Sequence, residues 1–412
     1  MCDFTSYRGG LLLTNKTSSF TTMPKLLQGT REESDKKLDE MKQINRMTFL
    51  SGFGPVYHLK MDHPMSLLDL KPDKILIRST NWIGDAIMTT PAVRTIRLNF
   101  PDAHITILAY PWVADIFRNC PHVDEVILYK KTGEHRGVKG LWRLGRELAA
   151  VRFDLAILLQ NAFEAALLAV IAGIPVRAGY IRDARRMLLT HPVKIRPEVR
   201  KLHQVHYYQE LCRGLGLNPG PDQLFLQLAP EVEIWAQEFV SDFTGRPVIG
   251  FNPGAAYGPA KCWPVERYGK LAALLTEQSN AVIPVFGTKS DAATAAAIQS
   301  FAPKNVIDLA GNTSLAEAMA LIGVCDAFVT NDSGLMHVAA AQNTPLVAIF
   351  GSTDPIATGP YSDRAMVIQN KMDCQPCFKT HCKSDFECMN SIEIEKVAES
   401  VGKLLNDQEE RG

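Results

Sequence analysis

The strongest constraint on the fold is an alternation of short apolar strands, loops and amphipathic helices that starts twice along the chain. The first series begins at Lys74, and the second begins at Val248 after a Pro/Gly/Asp-rich linker over residues 219–230. Such alternation is typical of parallel sheets joined by right-handed crossover helices. We therefore predict an α/β fold with two Rossmann-like parallel-sheet domains facing a central cleft.

The predicted elements divide into two sets. In the first half, strands are expected over residues 74–77, 105–109, 125–129, 155–159 and 177–180, and helices over 85–98, 113–118, 141–151, 162–171 and 204–215. In the second half, strands are expected over residues 248–252, 281–286, 306–308, 327–330 and 346–350, and helices over 231–243, 265–278, 291–300, 315–324 and 334–341. A last helix, over 393–405, is expected to return to the first domain.

These elements give four predicted segments. Residues 1–65 mix Thr, Ser, Gly and charged residues without strand–helix alternation, so this N-terminal extension is predicted to be disordered. Residues 66–225 form the first Rossmann-like domain. Residues 226–390 form the second, which includes a cysteine cluster. Residues 391–412 form a C-terminal helix and tail.

Composition excludes several classes of protein. The chain has 412 residues, 46% of them hydrophobic, and a formal net charge of zero, which does not favour a nucleic-acid partner. Its most apolar stretch, Leu155–Ile174, is interrupted by Gln160, Asn161 and Glu164, whereas a spanning helix needs about 20 mostly apolar residues. We therefore expect no transmembrane segment, no secretory signal and a cytoplasmic location, with a membrane surface as a site of peripheral contact.

The loop after the first strand carries Gly84 and Asp85 directly before a helix. Asp is a favoured N-cap residue, so capping of the helix is the more ordinary explanation of Asp85. A carboxylate at the end of a parallel strand also faces the ligand-binding edge of the sheet, where it can act as a general base. Both interpretations remain open for Asp85.

The second half has a matching loop, Asn331-Asp332-Ser333-Gly334, before the helix that contains His337. A helix N-terminus binds anions through its free N–H groups and its dipole. Gly334 would let the backbone approach a ligand closely. Asp332, Ser333, Gly334 and His337 are therefore candidate ligand-binding residues.

Two further loops follow strands of the second half. The loop over residues 252–264 is rich in Gly and Pro and contains Gly254 and Lys261, a composition suited to holding phosphates. Its spacing is not that of a P-loop. The loop over 286–291 contains Gly287 and Asp291, where Asp291 would cap the next helix or bind ribose hydroxyls.

A basic stretch, residues 177–201, includes Arg182, Arg185 and Arg186. A solvated surface is the ordinary explanation of such a run. The functional explanation is a binding site for an acidic acceptor that carries phosphates or carboxylates.

Four cysteines, Cys374, Cys377, Cys382 and Cys388, lie close together near the C-terminus. Structural zinc sites usually separate their ligand pairs by more residues. The spacing is compatible with zinc, with an iron–sulfur cluster, with free thiols and with a redox-labile pair.

Taken in order, these motifs resemble glycosyltransferase family 9. The resemblance rests on Ile75–Arg78, Trp82–Asp85 and Thr89–Ala92 in the first half, and on Lys261–Pro264, Phe286-Gly287, Leu309–Gly311 and Asn331–His337 in the second. The tail around Cys374–Lys379 resembles the heptosyltransferase II branch. The similarity covers about residues 72–405.

The resemblance implies a GT-B fold and an inverting transfer of L-glycero-D-manno-heptose from ADP-heptose to the heptosyl-Kdo inner core of lipopolysaccharide. It implies Asp85 as the base, with Lys261 stabilising the leaving diphosphate. Donor binding would fall to Gly84, Gly254, Gly287, Asp291, Asp332, Ser333, Gly334 and His337, and acceptor binding to Arg182, Arg185 and Arg186. No metal and no other cofactor would be needed, and the lipid A-linked acceptor would be met at the inner-membrane surface.

Three alternatives remain at this stage. Another family 9 enzyme, such as heptosyltransferase I or III or one with a different sugar donor, would share most of these motifs. An NAD-dependent oxidoreductase would need a G-x-G-x-x-G loop after the first strand, where only Gly84 stands. A non-catalytic nucleotide-sugar or metal-binding module would make Asp85 dispensable.

Overall fold

The computed structural model describes residues 67–382 and 385–409. The predicted extension over residues 1–65 lies outside this described part of the chain. Within it are two six-stranded sheets in which every strand pair is parallel. The predicted α/β class with two parallel sheets is confirmed.

The first sheet has the strand order β3-β2-β1-β4-β5-β6. Its strands are β1 Lys74–Arg78, β2 His104–Ala109, β3 Glu125–Leu128, β4 Leu155–Leu158, β5 Val176–Tyr180 and β6 His191–Val193. The helices between and after them are α1 Ile83–Met88, α2 Thr90–Asn99, α3 Asp115–Arg118, α4 Gly137–Val151, α5 Phe163–Ile171 and α6 Gln204–Gly214.

The second sheet repeats this order as β9-β8-β7-β10-β11-β12. Its strands are β7 Ile249–Asn252, β8 Ile283–Val285, β9 Val306–Asp308, β10 Ala327–Asn331, β11 Leu346–Phe350 and β12 Ala365–Gln369. The remaining helices are α7 Pro230–Ser241, α8 Val265–Ser279, α9 Ala292–Gln299, α10 Leu315–Gly323, α11 Gly334–Ala341, α12 Pro355–Thr358, α13 Glu387–Asn390 and α14 Ile394–Glu409. The 3-10 turns are Leu67–Asp69, Pro111–Val113, Arg185–Leu188, Glu198–Lys201, Pro259–Lys261 and Lys289–Asp291.

Each sheet has an edge strand that the sequence did not predict. β6 has three residues, one of them Pro192. β12 is only partly buried, and its buried and exposed residues do not alternate regularly. Edge strands are buried less than central ones, so their apolar pattern is weak. These two strands are the main omissions from the predicted topology.

Two helices also differ from expectation. The first predicted helix is broken at Thr89, which separates α1 from α2 and places Pro91 in the first turn of α2. Pro is compatible with a helix start and not with its interior. The last helix, α14, packs on α8 and the second sheet through Val397, Val401 and Leu404, and the expected return to the first domain was wrong.

The two central strand pairs begin with the same aspartate contact. Asp154, just before β4, accepts hydrogen bonds from the N–H groups of Asp73 and Lys74 at the start of β1, both at 2.9 Å. In the second sheet, Asp326, just before β10, accepts one from Val248 before β7 at 2.8 Å. A carboxylate that bonds the first amides of its neighbouring strand favours one pairing register.

Buried apolar residues extend from the first sheet into the helices of the second half. The same core contains Ile77 of β1, Ile87 of α1, Leu321 of α10 and Val338 of α11. The carboxyl ends of β1 and β10 are thereby brought to one place. Among the described residues, no helix is both long enough and apolar enough to cross a membrane.

We predict that Asp154→Ala lowers the free energy of unfolding by about 1 kcal/mol, because it removes the acceptor for two strand-entry amides. Urea denaturation at pH 7 measures this change. Asp407→Ala on α14 removes an exposed carboxylate and is the control, expected to change stability by less than about 0.5 kcal/mol. Equal stability of the two variants would contradict the role given to Asp154.

Candidate active site

The two loops singled out in the sequence meet where α1 and α11 begin. A Cβ at Gly84 would lie 2.6 Å from Cδ2 of His337, and a Cβ at Gly334 would lie 2.9 Å from Cβ of Ile83. Both distances are too short for any other residue without displacement. The two glycines therefore allow the helix starts to touch, and this contact brings Asp85 to the loops of the second sheet.

Asp85 occupies the third position of α1 and does not cap it. The N-cap is Trp82, whose side chain makes no capping hydrogen bond, so the capping interpretation was wrong. Burial raises the pKa of Asp85 to about 6; the nearby Lys261 ammonium lowers it and the Asp332 carboxylate raises it. A carboxylate with this pKa is ionised at neutral pH and is a stronger base than an exposed one.

Lys261 and Asp332 form a buried ion pair opposite Asp85. The Nζ–Oδ2 distance is 2.5 Å, and the two side chains are 14% and 5% exposed. The hydroxyl of Thr353 donates to the same Asp332 oxygen at 2.6 Å. Lys261 thus lies near two carboxylates, and two of its three N–H donors remain for a ligand anion.

Two asparagines hold together the loops that follow β7 and β10. Asn252, at the end of β7, donates to the Ser333 hydroxyl at 2.6 Å. Asn331, at the end of β10, donates to the Pro253 carbonyl at 2.6 Å and accepts from the Trp263 amide at 3.1 Å. The loop that carries Lys261 is therefore fixed to the start of α11.

Ser333 is the N-cap of α11, since its Oγ accepts from the Met336 amide at 3.4 Å. This cap pairs the Met336 amide and leaves the other amides of the first helical turn available to a ligand. Gly334 follows it and contacts α1 through Ile83. An anion placed here would meet both N–H groups and the positive end of the helix dipole.

His337 is buried beside Gly84 on the first turn of α11. Burial lowers its pKa to about 4; Asp332 opposes this shift, and His203 and Lys261 add to it. The imidazole is neutral at pH 7 and offers a ligand a hydrogen bond and not a positive charge. Its Nδ1 is buried and has no hydrogen-bond partner within residues 67–382 and 385–409.

Two other buried polar atoms without partners lie on loops at the carboxyl edges of the sheets. They are Oγ1 of Thr80, after β1, and Oγ of Ser352, after β11. Buried polar groups in proteins are almost always paired, so unpaired ones call for an explanation. Their positions, with that of His337, fit a polar ligand that binds between the two sheets.

The Asp291 side chain makes local hydrogen bonds at the 3-10 turn before α9. Its Oδ2 accepts from the amide and the hydroxyl of Thr288, both at 2.7 Å, which completes a capping box. Gly254 and Gly287 both lie against this carboxylate: an added Cβ would be 3.2 Å from Oδ1 at Gly254 and 3.1 Å from Oδ2 at Gly287. This box belongs to the 3-10 turn Lys289–Asp291, and the Asp291 side chain makes no capping hydrogen bond to α9, so the expected cap of that helix was wrong. Ribose binding stays a prediction.

Arg78 supports the loop before Asp85. Its guanidinium is buried over the rings of Tyr110 and Tyr129, at 4.8 and 5.5 Å from their centroids. It donates to the Ser79 carbonyl at 2.6 Å and to Oδ1 of Asn81 at 3.2 Å. The Arg78 side chain thus fixes the turn that leads into α1.

The three arginines of the basic stretch are placed differently. Arg182 and Arg186 are exposed. Arg185 is fully buried; it donates to the Tyr180 carbonyl at 2.9 Å and to Oδ1 of Asn161 at 2.9 Å, and it also contacts the Gln160 carbonyl. Arg185 therefore organises the loops after β4 and β5, which leaves Arg182 and Arg186 as the arginines open to an acceptor.

The four C-terminal cysteines cluster in space. Burial raises the pKa of the Cys388 thiol above its ordinary value, and the neighbouring Cys382, Cys374 and Cys377 raise it further. Over residues 67–382 and 385–409, no three His, Cys, Asp or Glu side chains have an arrangement that could hold a metal ion.

Sequence reasoning missed three residues that support the site: Thr353, Tyr257 and Arg78. Thr353 follows β11 in the short run Gly351-Ser352-Thr353, where a hydroxyl after a central strand was the available signal. The ring of Tyr257 lies 4.8 Å from Nζ of Lys261, a contact that no spacing rule indicates.

Comparison with known proteins gives a consistent result. The sequence profile of Glycosyltransferase family 9 (heptosyltransferase) matches residues 141–386. Lipopolysaccharide heptosyltransferase 2 of Escherichia coli K12 is 36% identical over 359 residues, which cover 82% of this chain and 99% of the relative. Lipooligosaccharide heptosyltransferase 2 of Haemophilus influenzae is 33% identical over 308 residues, covering 72% and 88%.

A solved structure supports the same assignment. The structure of E. coli ADP-heptose LPS heptosyltransferase II is 32% identical, with a TM-score of 0.70, and the match covers 82% of this chain and 99% of that one. The paired parallel sheets, the loops that meet between them and these similarities agree. The chain belongs to glycosyltransferase family 9 and is a glycosyltransferase of the GT-B fold.

Proposed function

We propose that this enzyme transfers L-glycero-D-manno-heptose from ADP-heptose to the heptosyl-Kdo inner core of lipopolysaccharide with inversion at the anomeric carbon. The relatives named heptosyltransferase 2 support the lipopolysaccharide acceptor, and the solved ADP-heptose LPS heptosyltransferase II supports the donor. The identity of 36% to heptosyltransferase 2, against 26% to a heptosyltransferase 3 of Escherichia coli, favours this function over that alternative. The observation that carries the mechanism is the position of Asp85, a carboxylate with a raised pKa next to the Lys261–Asp332 pair.

Asp85 is the general base of this proposal. Its carboxylate accepts the proton of the acceptor hydroxyl as the oxygen of that hydroxyl bonds to the anomeric carbon of the heptose. The bond from that carbon to the diphosphate oxygen breaks on the opposite face, and ADP leaves. Attack opposite to the leaving group inverts the anomeric configuration.

The leaving diphosphate gains negative charge as the bond breaks. Lys261 supplies an ammonium, and the first amides of α11 at Ser333 and Gly334 supply oriented N–H donors. Groups held in place before the reaction stabilise a developing charge without reorganisation. Asp332 would accept hydrogen bonds from sugar hydroxyls or orient the loop, and neutral His337 would donate one to a phosphate oxygen. Gly254, Gly287 and Asp291 would border the nucleoside.

The acceptor would enter from the first sheet. The exposed Arg182 and Arg186 would bind carboxylates or phosphates of the core. Since the acceptor carries lipid A, the enzyme would work in the cytoplasm at the inner face of the inner membrane.

We predict that Asp85→Asn lowers kcat by about 100- to 10,000-fold while ADP still binds, because the amide cannot take up the proton. In the wild-type enzyme, kcat should rise with pH through about 6 and then level off, since only the ionised carboxylate is a base. Initial rates from pH 5 to 8 measure both effects. Asp407→Asn is the control, and near-normal turnover by Asp85→Asn would refute the base assignment.

We predict that the protein binds ADP in preference to UDP, and that Lys261→Ala weakens ADP binding at least about tenfold and lowers kcat a few hundredfold. The change removes the ammonium and leaves Asp332 beside the diphosphate. Isothermal titration calorimetry and donor kinetics measure it. Lys270→Ala on the exposed face of α8 is the matched control. Preference for UDP would change the proposed donor.

We predict that EDTA leaves the transfer rate unchanged, because an ammonium and a helix N-terminus meet the diphosphate charge. The rate is compared before and after chelation and dialysis, with circular dichroism recorded to follow folding. A lost rate in a folded sample, restored by a divalent cation, would contradict this part of the mechanism.

A further inference from the structure

The cysteine-rich segment, residues 371–382, lies against the loop that carries Lys261. The hydroxyl of Tyr257 donates to the Phe378 carbonyl at 2.7 Å, and the amide of Ala260 donates to the Thr380 carbonyl at 3.1 Å. Gly258, with φ of 137°, allows this approach, since a Cβ there would lie 3.1 Å from the Thr380 oxygen. The main chain of the segment therefore binds the loop that carries Lys261 through two hydrogen bonds.

The same segment is anchored on the loop after β11. The side chain of Gln375 donates to the Gly351 carbonyl at 2.7 Å and accepts from the Met372 amide at 2.9 Å. The amide of Phe378 donates to the Ser352 carbonyl at 2.9 Å. The next residue of that loop, Thr353, bonds Asp332. The cysteine-rich segment thus connects the loop that carries Lys261 to the loop whose Thr353 hydroxyl bonds Asp332.

Tyr257 joins this segment to the ammonium. Its hydroxyl is bonded to the Phe378 carbonyl, and Nζ of Lys261 lies 4.8 Å from its ring centroid. Tyr257 is 43% exposed, so packing alone does not fix its ring. The hydroxyl–carbonyl bond orients the ring, and the oriented ring restricts the flexible lysine side chain.

We propose that Tyr257 is a positioning residue for Lys261, and that the main chain of residues 375–380 sets the orientation of Tyr257. This inference rests on the proposed function, in which Lys261 meets the diphosphate of ADP. A lysine side chain loses much rotamer freedom when it binds an anion, so a side chain that is already ordered binds more tightly. The cysteine-rich segment therefore acts on donor binding through its backbone, without its thiols touching the substrate.

Tyr257→Phe keeps the ring and removes the bond to Phe378, and Tyr257→Leu removes both contacts. We expect ADP affinity to fall by about 3- to 10-fold in the first variant and further in the second, with the KM for the acceptor unchanged. Gln375→Ala, which releases the anchor of the segment, should change donor binding in the same direction. Phe378→Leu is the matched control, because only the main chain of Phe378 takes part.

A double-mutant cycle separates positioning from a general structural effect. In the Lys261→Ala background, Tyr257→Phe should cause no further loss of ADP affinity, because the group that it positions is gone. Full additivity of the two losses, or unchanged ADP affinity in Tyr257→Phe, would overturn the inference while leaving the proposed function intact. Failure of the wild-type protein to bind ADP would overturn the proposed function and this inference with it.

Discussion

The contact between the starts of α1 and α11 is the constraint on which the rest of the site depends. Each helix brings a glycine to it, and the neighbouring side chains, His337 and Ile83, occupy the space where a Cβ would lie. Because this contact is so close, Asp85 from the first sheet and Asp332 from the second share one ammonium. In the proposed mechanism, each half of the fold supplies only part of the reaction chemistry.

The electrostatics of the site follow from that arrangement. Two carboxylates face a single Lys261, and Asp332, which is paired with it at 2.5 Å, also accepts a bond from Thr353. Among the residues that the structure describes, Asp85 has no ion-pair partner this close, so burial dominates and raises its pKa. The carboxylate without a close partner is the one suited to take up a proton, and the paired one is suited to hold and orient.

The sequence allowed the two parallel sheets to be predicted, because the central strands are continuous apolar runs followed by Gly, Asp or Ser. It also indicated Asp85, Lys261 and Asp332, since all three lie on loops that follow such strands. It did not indicate β6 and β12, whose edge positions leave a weak pattern. The sequence could not assign Thr353 or Tyr257, because their roles come from contacts between loops distant in the chain. It also could not show that Arg185 is buried while Arg182 and Arg186 are exposed.

The equivalent aspartates before β4 and β10 show that the two edges of each sheet have different roles. At the amino edge, Asp154 and Asp326 hold the entry of the central strand pair. At the carboxyl edge, the loops differ between the two halves: the first half presents Asp85, the proposed base, and the second half presents the Lys261–Asp332 ion pair. An architecture of this kind lets the reactive edge diversify while the opposite edge keeps the register, so new donor or acceptor preferences can be built by exchanging loops on an unchanged frame.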